Sequence, residues 1–178
     1  MKKLILLTGD LASGKTTYSK ILGEKFNITV VNKDTVKEIL GDRIHVETRA
    51  ENKNLSVVCF DLFKYLIKQN SGNLLIESNF KPYEMEELEG LVSDYDVLTI
   101  RLKGDNHVLH ERFNKRLTEN RHYVHKSQDF TSIEPFIETL EELRSVKAIG
   151  EEMILDSTTF NYQNNKNVLA KIESFLNS

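Results

Sequence analysis

Gly9-Asp10-Leu11-Ala12-Ser13-Gly14-Lys15-Thr16 decides how the rest of this chain is read. It is a complete G-x-x-x-x-G-K-[ST] sequence with suitable flanks. Leu4-Ile5-Leu6-Leu7-Thr8 before it is apolar and strand-like, and Thr17-Tyr18-Ser19-Lys20-Ile21-Leu22-Gly23-Glu24 after it has helical spacing. A strand, a glycine-flanked loop and a helix start make a phosphate cradle. Backbone N–H groups point at phosphate oxygens, and the new helix adds its unsatisfied N–H groups and positive dipole end. Gly9 and Gly14 permit backbone angles and close approach that a side chain blocks. The motif predicts nucleotide contacts from Gly9, Asp10, Leu11, Ala12, Ser13, Gly14, Lys15, Thr16 and Thr17. Lys15 is expected on the β- and γ-phosphates, and Thr16 on Mg²⁺.

Outward from this loop, strand-like and helix-like segments alternate. Strands are expected at 4–8, 28–32, 73–77, 95–102 and 153–156. Helices are expected at 14–24, 33–41, 51–70, 82–93, 105–120, 133–146 and 162–177. Such alternation implies an α/β fold, a parallel sheet with helices on both faces. Segments 4–8 and 73–76 are apolar without a period of two, as in strands buried on both sides. Residues 118–132 are polar and lack an apolar period. They are expected to form a mobile lid, spanning about 105–132 with the preceding helix, within one domain over 1–178.

The 178 residues suffice for one sizeable core, and the balance of 39% hydrophobic and 29% charged is ordinary. A net charge of -3 provides no general attraction to nucleic acid, which is therefore not the favoured partner. The one cysteine, Cys59, excludes an internal disulfide and fits a reducing compartment. It lies in apolar Val57-Val58-Cys59-Phe60, which suggests packing rather than reactivity. The apolar run after Met1-Lys2-Lys3 is too short for a signal peptide, and no segment is long enough to cross a membrane. The expectation is a cytoplasmic protein.

In open parallel sheets ligands bind outside the carboxyl ends of the strands, so residues just after each strand matter most. After the second strand comes Asn32-Lys33-Asp34. Asp34 is placed to accept the proton of an attacking hydroxyl or to hold a water of the Mg²⁺ shell; the alternative is an N-cap. After the third comes Glu77-Ser78-Asn79. Glu77 suits the metal shell or the acceptor, and Asn79 the acceptor, while capping of a helix near Lys81-Pro82 competes for Ser78 and Asn79.

The helix at 105–120 carries Leu109, Phe113 and Leu117, a stripe expected to pack inward. Arg112 and Arg116 lie four apart beside it, and Arg121 follows in the lid. An arginine in cis meets the charge of a transferring phosphoryl group. Arg116 is assigned that role, Arg112 the nucleotide and Arg121 the acceptor. The alternative is a solvated face paired with Glu111 and Glu119. His107, His110, His122 and His125 form two i, i+3 pairs. No cysteine is near them, so zinc is not expected, and His122 or His125 on phosphate is a minor role. The loop Asp156-Ser157-Thr158 is expected near the phosphate loop and the base of a nucleotide.

The phosphate loop through Thr17, Asn32-Lys33-Asp34 with Lys37, Glu77-Ser78-Asn79 and Arg112-x-x-x-Arg116 together resemble the small P-loop kinases. The likeness is greatest to the polynucleotide kinase, zeta toxin and chloramphenicol phosphotransferase group, and general to nucleoside-monophosphate and shikimate kinases. The resemblance implies strand order 2-3-1-4-5, a helical lid and ATP as donor. It also implies Asp34 as activator of the acceptor hydroxyl, Lys37 on the acceptor and Arg116 as lid arginine. The expected activity is transfer of a γ-phosphoryl group from ATP, with Mg²⁺, to a hydroxyl or phosphate of a small molecule or nucleotide. The alternatives are a polynucleotide 5′-hydroxyl kinase and an NTPase without acceptor. Against a guanine-specific switch, Asn32-Lys33-Asp34 lacks the spacer of N-K-x-D.

Overall fold

Leu4, Ile5, Leu6 and Leu7 are fully buried, all four in a row. They lie in β1 (Lys2–Gly9), the central strand of a five-stranded parallel sheet. The computed structural model describes residues 1–119, 122–125 and 130–178. The remaining strands are β2 (Thr29–Asn32), β3 (Leu74–Glu77), β4 (Tyr95–Lys103) and β5 (Glu151–Asp156). The order is β2-β3-β1-β4-β5, the order that the resemblance implied. Helices connect them: α1 (Lys15–Phe26), α2 (Lys33–Gly41), α3 (Arg49–Gln69), α4 (Pro82–Glu89), α5 (Asn106–Leu117), α6 (Ile133–Ser145) and α7 (Lys166–Asn177).

The unbroken apolar run of β1 follows from having a core on each face. Leu4 and Leu6 pack with Phe63 and Ile67 of α3 and Leu88 of α4. Ile5 and Leu7 pack with Tyr18 and Leu22 of α1 and Ile172 of α7. A third cluster, Leu109, Phe113, Phe130, Phe136 and Leu140, joins α5 to α6.

Several expected boundaries move. The fifth strand begins at Glu151, two residues before the expected 153. The last helix begins at Lys166 rather than 162, because the Asn165 side chain accepts from Asn167 N–H and Val168 N–H and starts a new helix there. Residues 161–164 form a separate short turn. Leu117 does not pack inward as expected. It is the last residue of α5 and is exposed, so the apolar stripe ends at Phe113.

The segment 118–132 differs from a freely hanging lid. In its described part, Val124 and Phe130 are both buried. A turn at Tyr123–His125 lies against α2 and α3. Tyr123 Oη donates to Gly41 O, and Asn52 Nδ2 donates to Val124 O at 2.9 Å. Two such isolated apolar residues are too few to show as periodicity, yet Val124 is buried at the turn and Phe130 packs into the α5–α6 cluster.

Candidate active site

The loop after β1 is shaped by two glycines. Gly9 has φ +134°, and a Cβ there would stand 2.2 Å from Leu102 O. Gly14 has φ +89°, and a Cβ there would meet Tyr162 Oη at 2.8 Å. Backbone on one side and a fixed ring on the other exclude any side chain at either position. Beyond Gly14 the chain turns into α1, whose first N–H groups open onto the loop.

Lys15 bends back into this loop. Its Nζ donates to Asp10 O at 2.6 Å and Gly9 O at 3.2 Å, and it is buried. Burial lowers its pKa, while the charges of Glu77, Asp34 and Asp10 act the other way. A buried ammonium held on carbonyls is a ready partner for an anion. Residues 11–17 line a cavity of about 380 Å³ in front of it.

Asp10 is outside that cavity. Its N–H donates to Leu102 O at 2.8 Å. Its carboxylate takes Arg144 Nη2 at 2.6 Å, Arg144 Nε at 2.9 Å and Gly104 N–H at 2.9 Å. Its backbone N–H and its carboxylate are both engaged within the fold. Gly9 also shapes the loop without lining the cavity.

On the opposite wall stands Glu77, at the end of β3. The Thr16 hydroxyl is 3.4 Å from Oε1 and the Ser19 hydroxyl 3.4 Å from Oε2, and Asn32 Nδ2 donates to Oε2. Burial pushes the Glu77 pKa up to about 7, helped by the charge of Asp34 and opposed by that of Lys15. The Thr16 hydroxyl and the Glu77 and Asp34 carboxylates are hard oxygen donors, the type Mg²⁺ takes. The residues present therefore fit a hydrated Mg²⁺ beside phosphate.

The third wall is α2. Its N-cap is Asn32, whose Oδ1 accepts Thr35 N–H at 2.8 Å. Asp34 is thus relieved of capping; it sits in the first helical turn, exposed and on the cavity. Lys37, one turn on, is half-buried and lines the same space. Burial lowers its pKa, Asp34 raises it, and Lys33 and Lys81 add to the lowering. Lys33 is held by Glu84 at 2.8 Å.

Ser78 and Asn79 do not cap α4 either. Its N-cap is Lys81, whose N–H donates to Glu84 Oε2 at 2.9 Å. Ser78 Oγ and Asn79 Oδ1 are buried without a hydrogen-bond partner among the described residues, and both residues line the cavity. Ser56, Phe113, Val124 and His125 also line it, and nothing in the sequence marks the first three as site residues.

The two arginines of α5 separate. Arg116 lines the cavity, and its charge helps to depress the Lys15 pKa. Arg112 is not paired with Glu111 or Glu119. It donates to Ser157 O at 2.6 Å and Thr158 O at 2.7 Å, and its guanidinium lies 4.2 Å over the Phe160 ring. Tyr162 Oη from the same connection donates to Ser13 O at 2.9 Å, so the β5–α7 connection touches the phosphate loop through Tyr162. Arg121 lies outside the described residues.

The histidines are used singly. His110 meets Phe130 O at 2.9 Å, His122 pairs with Asp42 at 3.0 Å and His125 with Glu38 at 2.9 Å. Among the described residues no three His, Cys, Asp or Glu side chains converge as a metal-binding group. Among them, too, no helix is long and apolar enough to cross a membrane.

Known structures share this architecture. A Chloroflexus aurantiacus protein with a provisional kinase assignment is 23% identical, with 98% of each chain covered and a TM-score of 0.75. Shikimate kinase from Bacteroides thetaiotaomicron is 16% identical, with 99% of each chain covered and a TM-score of 0.63. The tunicamycin resistance protein of Deinococcus radiodurans is 16% identical, with 97% of this chain and 96% of that one covered and a TM-score of 0.61. At these identities the likeness establishes the α/β P-loop kinase fold. No curated protein matches the sequence. The family model described as "AAA domain" matches residues 5–131, from within β1 to just before α6, and the chain belongs to that family.

Proposed function

We propose that the chain is a Mg²⁺-dependent phosphotransferase that moves the γ-phosphoryl group of ATP to a hydroxyl of a small molecule. The observation that carries this reading is one cavity with two chemically distinct sides. A phosphate loop with a buried ammonium forms one side, and an exposed carboxylate on a separate helix, Asp34, faces it. A simple nucleotide-binding site has no need of the second side.

In this reading the loop N–H groups and Lys15 hold the β- and γ-phosphates. Thr16 and Glu77 would hold Mg²⁺, which neutralises charge on the phosphates when bound. Arg112, braced on Phe160, presents a flat cation for the nucleotide base. Asp34 accepts the proton of the acceptor hydroxyl. A bond then forms from that oxygen to the γ-phosphorus as the bond to the bridging oxygen breaks. Arg116 meets the charge on the equatorial oxygens. Lys37, Asn79 and Arg121 serve the acceptor. The orphaned Asn79 Oδ1 suits a donor group on it, and the Lys37 ammonium suits a negative one.

The test is incubation with γ-labelled ATP, Mg²⁺ and a fractionated pool of small metabolites. Label appearing in a new organic phosphate supports the reading. Label released only as inorganic phosphate, at the same rate with and without the pool, overturns it.

A further inference from the structure

Asn32 ends β2 and caps α2, and the two ends of its amide do different jobs. Oδ1 accepts Thr35 N–H at 2.8 Å. That bond fixes the amide, because the NH₂ group cannot face another donor. Nδ2 is therefore directed elsewhere, and it donates to Glu77 Oε2. The register of the sheet brings the pair together: Asn32 and Glu77 are partners at the carboxyl ends of β2 and β3. With Oε2 engaged by Asn32, Oε1 is the oxygen beside the Thr16 hydroxyl.

We propose that Asn32 is a positioning residue of the transfer site, joining its acceptor side to its metal side through one amide. Its oxygen sets the start of the helix that carries Asp34 and Lys37. Its nitrogen turns the Glu77 carboxylate so that Oε1 faces Thr16. The proposal rests on the phosphotransfer reading above. It also accounts for the residue type. Ser and Asp cap helices about as well as Asn. An ionised Asp has no proton to give Glu77, and a Ser hydroxyl engaged on Thr35 N–H reaches one bond less far than the amide and has no second group to offer.

The experiment uses Asn32→Ser and Asn32→Asp in the full chain, with ATP titrated by calorimetry in the presence and absence of Mg²⁺. Melting temperatures are measured alongside. Asn32→Ser keeps the cap but removes the bond to the buried Glu77 carboxylate, so its melting temperature is expected to fall slightly while its Mg²⁺-free ATP affinity stays at the wild-type value. Its gain in affinity on adding Mg²⁺ is expected to fall about tenfold, as when the partner that orients a metal's ligand is lost. Asn32→Asp should lose at least as much, and Glu77→Gln combined with Asn32→Ser should lose no more than Glu77→Gln alone. A Mg²⁺-dependent gain at the wild-type level in both Asn32 variants, whatever their stability, reduces Asn32 to a cap and overturns the proposal. A wild-type protein whose ATP affinity does not respond to Mg²⁺ overturns the phosphotransfer reading, and this proposal with it.

Discussion

Arg144, near the end of α6, closes on the carboxylate of Asp10 at the start of the phosphate loop, with Nη2 at 2.6 Å from Oδ2. Asp10 is fully buried and Arg144 about a quarter exposed. The same Nη2 also donates to Gly104 O at 2.8 Å, so one guanidinium ties the loop to the β4–α5 connection and α6. Arg144→Ala leaves a buried carboxylate with only the Gly104 N–H. Its expected cost is about 3 kcal/mol, a fall in melting temperature of about 6–12 °C for a chain of this size. Adding Asp10→Ala should recover part of that loss, because the stranded charge is gone. Thermal unfolding of the two variants checks this; an unchanged melting temperature in Arg144→Ala would contradict it.

Lys15→Met separates function from stability. Lys15 is buried, and that burial disfavours its charge. Replacing the ammonium with an apolar group of similar length is expected to leave the melting temperature unchanged or raised. Phosphoryl transfer should fall by about a hundredfold or more through lost charge stabilisation. Steady-state rates beside a melting curve decide the matter. A folded variant with normal turnover would remove Lys15 from the site.

Glu77 makes a pH prediction. Its pKa is raised by burial to about 7, against an ordinary 4.5. A carboxyl whose folded pKa is raised binds its proton more tightly in the folded state. The stability this contributes is full below about pH 4.5 and is lost as pH rises through about 7. The ligand-free protein should therefore become less stable between about pH 5 and 7.5, by about 3 kcal/mol. Glu77→Gln should flatten that slope. Mg²⁺ needs the ionised form, so Mg²⁺-dependent ATP binding should strengthen over the same range. Denaturant melts across pH for both proteins check the sign; a wild-type slope retained in Glu77→Gln would assign it to another group.

Much of this was legible in the sequence because the signals are local. The phosphate loop needs only eight consecutive residues, and the apolar runs of β1 and β3 declare strands buried on both sides. Lys15, Asp34, Lys37, Glu77, Asn79 and Arg116 all line one cavity, since each follows a strand or lies on α5 beside it. What was hidden is long-range. Asp10 and Arg144 are separated by 134 residues, and an aspartate at a free position of the motif reads as loop. Val124 and Phe130 are too isolated to form a pattern. The start of α4 was also hard to read, because Lys81 has no side-chain acceptor to cap with and only the backbone bond from its N–H to Glu84 is made.

Arg116 distinguishes a transition-state contact from a ground-state one. Arg116→Ala is expected to lower the transfer rate by about a hundredfold or more while weakening ATP binding far less. Arg116→Lys should recover only part, because an ammonium lacks the planar two-pronged contact. Single-turnover rates beside ATP affinities test this. Equal losses in both would make Arg116 a ground-state binder.

Asp34 lines the cavity from α2, exposed, as the candidate base for the acceptor hydroxyl. Asn32 already caps α2, so Asp34→Asn changes the charge at the acceptor side and leaves the helix start intact. The measurement is the rate of label transfer from γ-labelled ATP to the metabolite pool by wild type and Asp34→Asn, with Mg²⁺–ATP affinity determined for both. Loss of a general base predicts ATP affinity within a few fold of wild type and transfer slowed by about 10²–10⁴-fold. Transfer by Asp34→Asn at the wild-type rate would contradict a site in which Asp34 takes the proton of the acceptor hydroxyl.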